Sequence, residues 1–324
     1  MKPKISIVTP CYNAVQFIEE TILSIINQDY DNLEYIIIDG GSTDGTIDII
    51  KKYENKIAYW ISEPDNGQSE AINKGIAVST GDVFNWVNGD DYLEVGVLKL
   101  VGEYFQKSNV NVFCSPTMLF NEEGNIRKND YTPIEKGVYE LLNSSGLNQQ
   151  GMFWRLSKIK ELNGVNSSFN FSMDLDLWKR YLINFGIENV VFEDVITGFF
   201  RLSNSSKTGA DFEENFHLFE KENNAALVQY ATLVNDKYAN VIKYLFPNFN
   251  NELAVKEVQS HLDVVVIKNW LKLLFYKKVM RLFYANDFKK AFVLLKIIPI
   301  EDYEGKELKN LKSFRRWSAI KRWL

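Results

Sequence analysis

Two cysteines and two histidines in 324 residues are too few for most of what those side chains build. Cys11 and Cys114 cannot form a disulfide framework, and no Cys/His cluster has zinc-ligand spacing, which points to a reducing compartment. His217 and His261 stand alone in helical stretches, where a surface or packing role is expected. Long apolar runs are missing too: each is interrupted by Lys, Asp or Asn before the roughly 18 residues that a membrane span needs. The opening Met-Lys-Pro-Lys passes into Ile5-Ser-Ile-Val-Thr9 and then Pro10, too short for the apolar part of a signal peptide, so a cytoplasmic location is expected. No Gly-x-Gly-x-x-Gly follows that first run and no Gly-Lys-Ser/Thr loop occurs, which argues against NAD-dependent dehydrogenases and P-loop enzymes.

What is present describes a folded chain. Apolar residues make up 46% and charged residues 24%, enough to bury a sizeable core and far from a disordered composition. The length suggests one large α/β domain plus an appendage, or two domains. The net charge of -5 conceals an asymmetry. Met1 to Gln259 carry 22 basic against 36 acidic side chains, a net of about −14, whereas Ser260 to Leu324 carry 15 against 6, about +9. An acidic body with a basic tail does not fit a general nucleic-acid binder, and it does fit an enzyme whose tail meets an anionic membrane surface.

Periodicity predicts the architecture. Apolar, β-branched runs at Ile5 to Thr9, Leu33 to Asp39, Ile57 to Ile61 and Val83 to Asn88 read as buried strands. Helical patterns lie between them at Val15 to Asn27, Thr46 to Tyr53 and Ser69 to Val78. Such alternation predicts a doubly wound, mostly parallel sheet with helices on both faces, in which ligands bind beyond the carboxyl ends of the strands. Short strand-like pieces follow from Val110 to Tyr131 and at Met152 to Arg155, and Asp174 precedes an amphipathic helix with Leu175, Trp178 and Leu182 on one side. Beyond about Phe212 long helical patterns take over, so the expected division is 1–211 for the sheet domain and 212–324 for a helical C-terminal region.

Polar residues gather at the strand ends: Thr9 to Asn13, Asp39 to Asp44, Glu63 to Gln68 and Asn88 to Asp91. Asp90-Asp91 suits Mg²⁺ or Mn²⁺, which take oxygen ligands and are commonly held by one or two carboxylates together with the substrate's own phosphates. Consecutive side chains on a strand face opposite ways, so one acid is expected to reach the ion and the other a sugar hydroxyl. Otherwise one of them caps the helix around Glu94 to Phe105 while the other is solvated. Asp39, ending an apolar run, can accept from a ribose hydroxyl or a base N–H. Asp44 reads as a helix cap, Tyr12 as a base-stacking ring or ordinary core, and Trp60 and Trp86 as core.

Taken in order, Ile5-Ser-Ile-Val-Thr-Pro-Cys-Tyr-Asn13, Gln28-Asp-Tyr30, Glu34-Tyr-Ile-Ile-Ile-Asp-Gly-Gly-Ser-Thr-Asp44 and Trp86-Val-Asn-Gly-Asp-Asp91 resemble the motifs of the family 2 glycosyltransferases of the GT-A fold. Glu63-Pro-Asp-Asn-Gly-Gln-Ser-Glu-Ala-Ile-Asn-Lys-Gly75 looks like a bacterial polysaccharide-biosynthesis branch. The match is dense over the first third and thin through Gln149 to Arg155 and Asp174 to Trp178. The resemblance implies a nucleotide-diphosphate sugar donor and a saccharide or lipid-linked acceptor. Thr9, Pro10, Tyr12 and Asp39 would take the nucleoside with Asp65 nearby, Asp91 the metal and Asp90 the ribose or sugar. Asp174 would be the general base of an inverting transfer, with Asp176 close enough to be confused with it. Ser203 stands where many relatives carry His, and Glu70 where Asp is commoner.

Two other classes compete with that reading. A non-catalytic relative would bind a nucleotide sugar or a partner through its helical part, and a metal-dependent nucleotidyltransferase also needs paired acids, although its basic Gly-rich loop is missing. In the tail, Leu308, Leu311, Phe314, Arg315, Ala319 and Trp323 approach helical spacing. That stripe either lies on an anionic leaflet, giving peripheral membrane contact, or packs on the preceding helices. Self-association into a homo-oligomer is left open by the sequence.

Overall fold

A computed structural model describes residues 2–107, 109–121, 123–124, 126–129, 137–144, 148–203, 212–246 and 262–321, without the side chains of 212–214 and 320. The order begins β1 (Ile5–Cys11), α1 (Ile18–Ile26), β2 (Leu33–Asp39), α2 (Thr46–Lys52), β3 (Tyr59–Ser62), α3 (Gln68–Val78), β4 (Val83–Trp86), β5 (Tyr92–Leu93) and α4 (Val97–Phe105). It continues through β6 (Val112–Cys114), β7 (Thr117–Asn121), β8 (Ile126–Asn129), α5 (Val138–Leu142), β9 (Met152–Arg155), α6 (Leu156–Glu161), α7 (Met173–Phe185), β10 (Val190–Phe192) and β11 (Gly198–Leu202). Five helices follow: α8 (Phe212–Val234), α9 (Asp236–Leu245), α10 (Val264–Tyr284), α11 (Phe288–Ile297) and α12 (Gly305–Lys321).

Seven strands form the main sheet in the order β10-β6-β9-β4-β1-β2-β3. β1, β2, β3 and β4 run parallel, as their alternation with helices predicts, whereas β9 lies antiparallel between β4 and β6. The register lines up the carboxyl ends: Cys11 pairs with Asp39, and Asp39 with Ser62. The loops after β1, β2 and β3 therefore leave from one edge. A second sheet, β5-β11-β7-β8, joins the antiparallel neighbours β7 and β8 to β11 and β5, which are distant from each other in sequence.

Packing explains the elements. Ile18, Ile22 and Ile25 put three fully buried branched side chains on one face of α1, against Ile5, Ile7 and Ile37 of the sheet, while Glu19 and Glu20 occupy its first turn, where the helix dipole favours acids. α3 crosses β1 so closely that a Cβ at Gly75 would sit 2.4 Å from Val8 Cγ1, so only glycine fits there. α7 is anchored by its aromatic face, with Trp178 stacked on Tyr181 and Trp154 of β9 set edge-on to both.

Contacts divide the chain into two units, Met1–Phe219 and Glu220–Leu324. In the second unit the terminal helix α12 is folded onto its neighbours: Leu311 is fully buried, Phe314 meets Phe283 with ring centroids 4.4 Å apart, and Asn310 donates to Tyr276. The apolar stripe of the tail is therefore packed inward at these positions; Trp323 lies outside the described residues. Among the described residues no helix is long and apolar enough to cross a membrane.

Candidate functional site

The loops leaving β1 and β2 are zipped together by short polar side chains. Asp39 is fully buried, and its carboxylate accepts from the Gly41 and Ser42 amides at 3.1 and 2.9 Å, from Ser62 Oγ at 2.5 Å and from the Ser42 hydroxyl. Ser42 Oγ in turn accepts from Asn13 N, and Asn13 Oδ1 accepts from Thr43 N. Asp44 performs the cap-like duty expected of it, accepting from Thr46 N and, across the gap, from Val15 N. Asp39 thus closes the loop from inside, and the open side of this corner is formed by other groups. Tyr12 is 65% exposed, and the half-buried Asp65 carboxylate lies against Gly40, where a Cβ would approach both of its oxygens to 3.2 Å. Thr9 and Pro10 lie within β1, which runs on to Cys11, and the buried Thr9 hydroxyl accepts from Tyr35.

β4 stops at Trp86, and Asn88 to Asp91 form a turn closed by Asp91 N donating to Asn88 O at 3.0 Å. Strand alternation therefore does not set the two acids. The turn presses on the end of β1, since a Cβ at Gly89 would lie 2.9 Å from Cys11 Cβ. Asp91 is 1% exposed and both its oxygens are engaged: Oδ2 accepts from Asn88 Nδ2 at 2.9 Å and Gln150 Nε2 at 3.0 Å, and Oδ1 from Arg201 N at 3.0 Å. Asp90 is less buried, and no other described side chain donates to its carboxylate. Burial holds both carboxyls above the ordinary range, and for Asp91 the charge of Asp90 adds to this. Neither acid caps α4: the Gln28 side chain accepts from Leu98 N instead.

Arg201 of β11 locks this turn from behind. Its Nε donates to Asp90 O at 2.9 Å, its guanidinium pairs with Glu20, and it lies between the rings of Phe17 and Phe120. Gln149 donates to Trp86 O at 2.8 Å, and Gln68 of α3 to Asn88 Oδ1 at 2.6 Å. Arg201, Gln150 and Gln68 were not among the candidate residues. The signal for the glutamines lay in polar residues embedded in apolar or motif sequence, which burial makes costly unless they are bonded.

The start of α7 reaches the same edge through α3. Ser69 Oγ donates to Phe169 O, and a Cβ at Gly67 would lie 3.2 Å from Asn170 Oδ1. Asp174, in the first turn, is half-buried. Asp176 is 2% exposed and bound to Arg180 at 2.7 Å, whose other nitrogens donate to Leu162 O and Gly164 O. Among the described residues no three Cys, His, Asp or Glu side chains gather into a metal cage.

The model of glycosyl transferase family 2 matches residues 6–178, from the first strand to just beyond Asp174. The chain belongs to that family. Among curated relatives, it is 27% identical over 151 residues to the glycosyltransferase GlyG of Streptococcus pneumoniae serotype 4, covering 44% of this chain and 50% of that one. It is 30% identical over 141 residues to the putative teichuronic acid biosynthesis glycosyltransferase TuaG of Bacillus subtilis, covering 43% and 53%. The matches thus span about half the length of these relatives. The crystal structure of S. aureus TarS 1-349 in complex with UDP is similar over 99% of this chain and 87% of that one, with a TM-score of 0.55 at 15% identity. That likeness shows the GT-A fold.

Proposed function

We propose that this chain moves a sugar from a nucleotide-diphosphate sugar to a hydroxyl of a saccharide or lipid-linked acceptor, with inversion at the anomeric carbon. The observation that carries the reading is the convergence, at one sheet edge of a family 2 chain, of the Asp90-Asp91 turn, the open Tyr12 and Asp65 corner and the first turn of α7. TarS was crystallised with UDP and with UDP-GlcNAc, which makes uridine nucleotides the first donors to test.

Within that reading, the exposed Tyr12 ring stacks on the base and Asp65 accepts from a base N–H, while Asp39 keeps the loop beneath them closed. The division inferred for the acidic pair is the reverse of the sequence-based expectation: Asp90 presents a carboxylate and Asp91 anchors the turn. A Mg²⁺ or Mn²⁺ ion fits this donor set, because Asp90 offers a hard oxygen that no other described side chain engages and two crowded carboxylates favour a cation. When bound, such an ion offsets the charge that builds on the departing diphosphate. Asp174 takes the proton of the acceptor hydroxyl as its oxygen bonds to the anomeric carbon and the bond to the diphosphate oxygen breaks. Attack opposite the leaving group inverts that carbon.

A nucleotide-release assay over a panel of sugar nucleotides, with Mg²⁺ or Mn²⁺ and candidate acceptors, tests this. Release of one nucleoside diphosphate, accelerated by an acceptor, is expected. Donor binding without acceptor-dependent release would instead make the chain a nucleotide-sugar-binding protein.

A further inference from the structure

We propose that the outward face of α12, together with the adjoining side of α11, is a docking surface for an anionic lipid membrane. Lys312, Arg315, Arg316 and Ala319 of α12 line a shallow open cleft with Phe292 of α11. Their spacing of three, four and seven positions puts all four on one helical face. Lys296 adds a further cation, its ammonium 4.6 Å from the centre of the Phe292 ring.

The charge here is uncompensated. α10 and α11 contain no acidic residue and α12 only Glu307. Of the neighbouring acids, Asp287 pairs with Lys290, Asp302 with Lys268 and Glu301 with Lys237, while Glu304 and Glu307 stand at the start of α12, five or more positions before Lys312. Among the described residues Lys312, Arg315 and Arg316 have no acidic partner. Converging cations over an aromatic and aliphatic floor suit phosphate headgroups above an acyl boundary. The inward packing of Leu311 and Phe314 means that the helix rests on the leaflet by charge, without inserting its buried stripe.

Vesicle co-sedimentation of the full chain tests this, and its outcome does not depend on catalysis. Wild type should pellet with phosphatidylcholine vesicles containing phosphatidylglycerol, stay in the supernatant with pure phosphatidylcholine, and be released by salt. Lys312→Gln/Arg315→Gln/Arg316→Gln should weaken partitioning about a hundredfold. The charge-reversed Glu triple should abolish it, with circular dichroism and lipid-free nucleotide release unchanged. Lys51→Glu/Lys56→Glu/Lys99→Glu removes the same charge from exposed sites in the first unit and should bind like wild type. Recovery in the supernatant with either vesicle, undiminished binding of the Gln triple, or equal loss in the control would overturn the proposal. So would capture by soluble polyphosphate or RNA without vesicle binding, which would assign the face to a soluble polyanion.

Discussion

Asp174 and Asp176 stand two positions apart on α7, yet their environments assign them different failures. Asp174→Asn is expected to lower turnover by on the order of 10² to 10⁴ while donor binding and melting temperature hold, because proton removal belongs to the chemical step. Asp176→Ala leaves Arg180 buried without its partner, and a loss of about 3–5 kcal/mol in denaturant unfolding is expected. The reverse pattern would make Asp176 the base. In the acidic turn, Asp90→Asn should remove metal stimulation with little change in stability. Asp91→Asn turns an amide NH₂ toward existing donors and should cost about 1–3 kcal/mol, read by thermal melting alongside a metal titration. The kind of acid and its place at a strand end were legible in the sequence. Which oxygens stay open was not, because the donors come from Gln150 and Arg201, 59 and 110 positions away.

Elements built from local periodicity were the legible ones. β2 spans Leu33–Asp39 as its apolar run indicates, and β9 spans Met152–Arg155. β4 ends two residues before the expected Asn88, where the Asn88 to Asp91 turn takes over. The second sheet was not legible as a sheet, since β11 pairs with β7 across a long sequence gap and neither strand is long enough to announce a partner. Two predictions belong to this scale. Gly75→Ala should destabilise by about 1–3 kcal/mol in denaturant unfolding although alanine is the better helix former, because the added methyl collides with Val8 of β1. Glu34 ties β2 to β1 and the α3–β4 loop; burial alone would raise its carboxyl, but bonds from Lys4, Ser6 and Thr80 outweigh this and hold it at about 2. A depressed carboxyl stabilises the fold above its unfolded value of 4.5 and loses that contribution as pH falls toward about 2. Glu34→Gln should therefore be less stable than wild type at neutral pH, on the order of 2 kcal/mol after discounting for the partly exposed Lys4, and the gap should close on acidification.

For the whole molecule, all of the candidate donor groups lie in Met1–Phe219, while the basic helices lie in Glu220–Leu324. Calorimetry with a uridine nucleotide and Mn²⁺ at about a hundred times the dissociation constant should stabilise the first unit by about 2.7 kcal/mol. If the units melt separately, only the first transition should move. The acids at the sheet edge also come in pairs of contrasting burial: Asp39 inside and Asp65 half-buried, Asp91 inside and Asp90 half-buried, Asp176 inside and Asp174 half-buried. A saturation library scored for sugar transfer alone would find both members of each pair equally intolerant. Scored in parallel for cellular abundance, the inner three should lower the amount of protein made, and the outer three should leave amounts intact and silence each molecule.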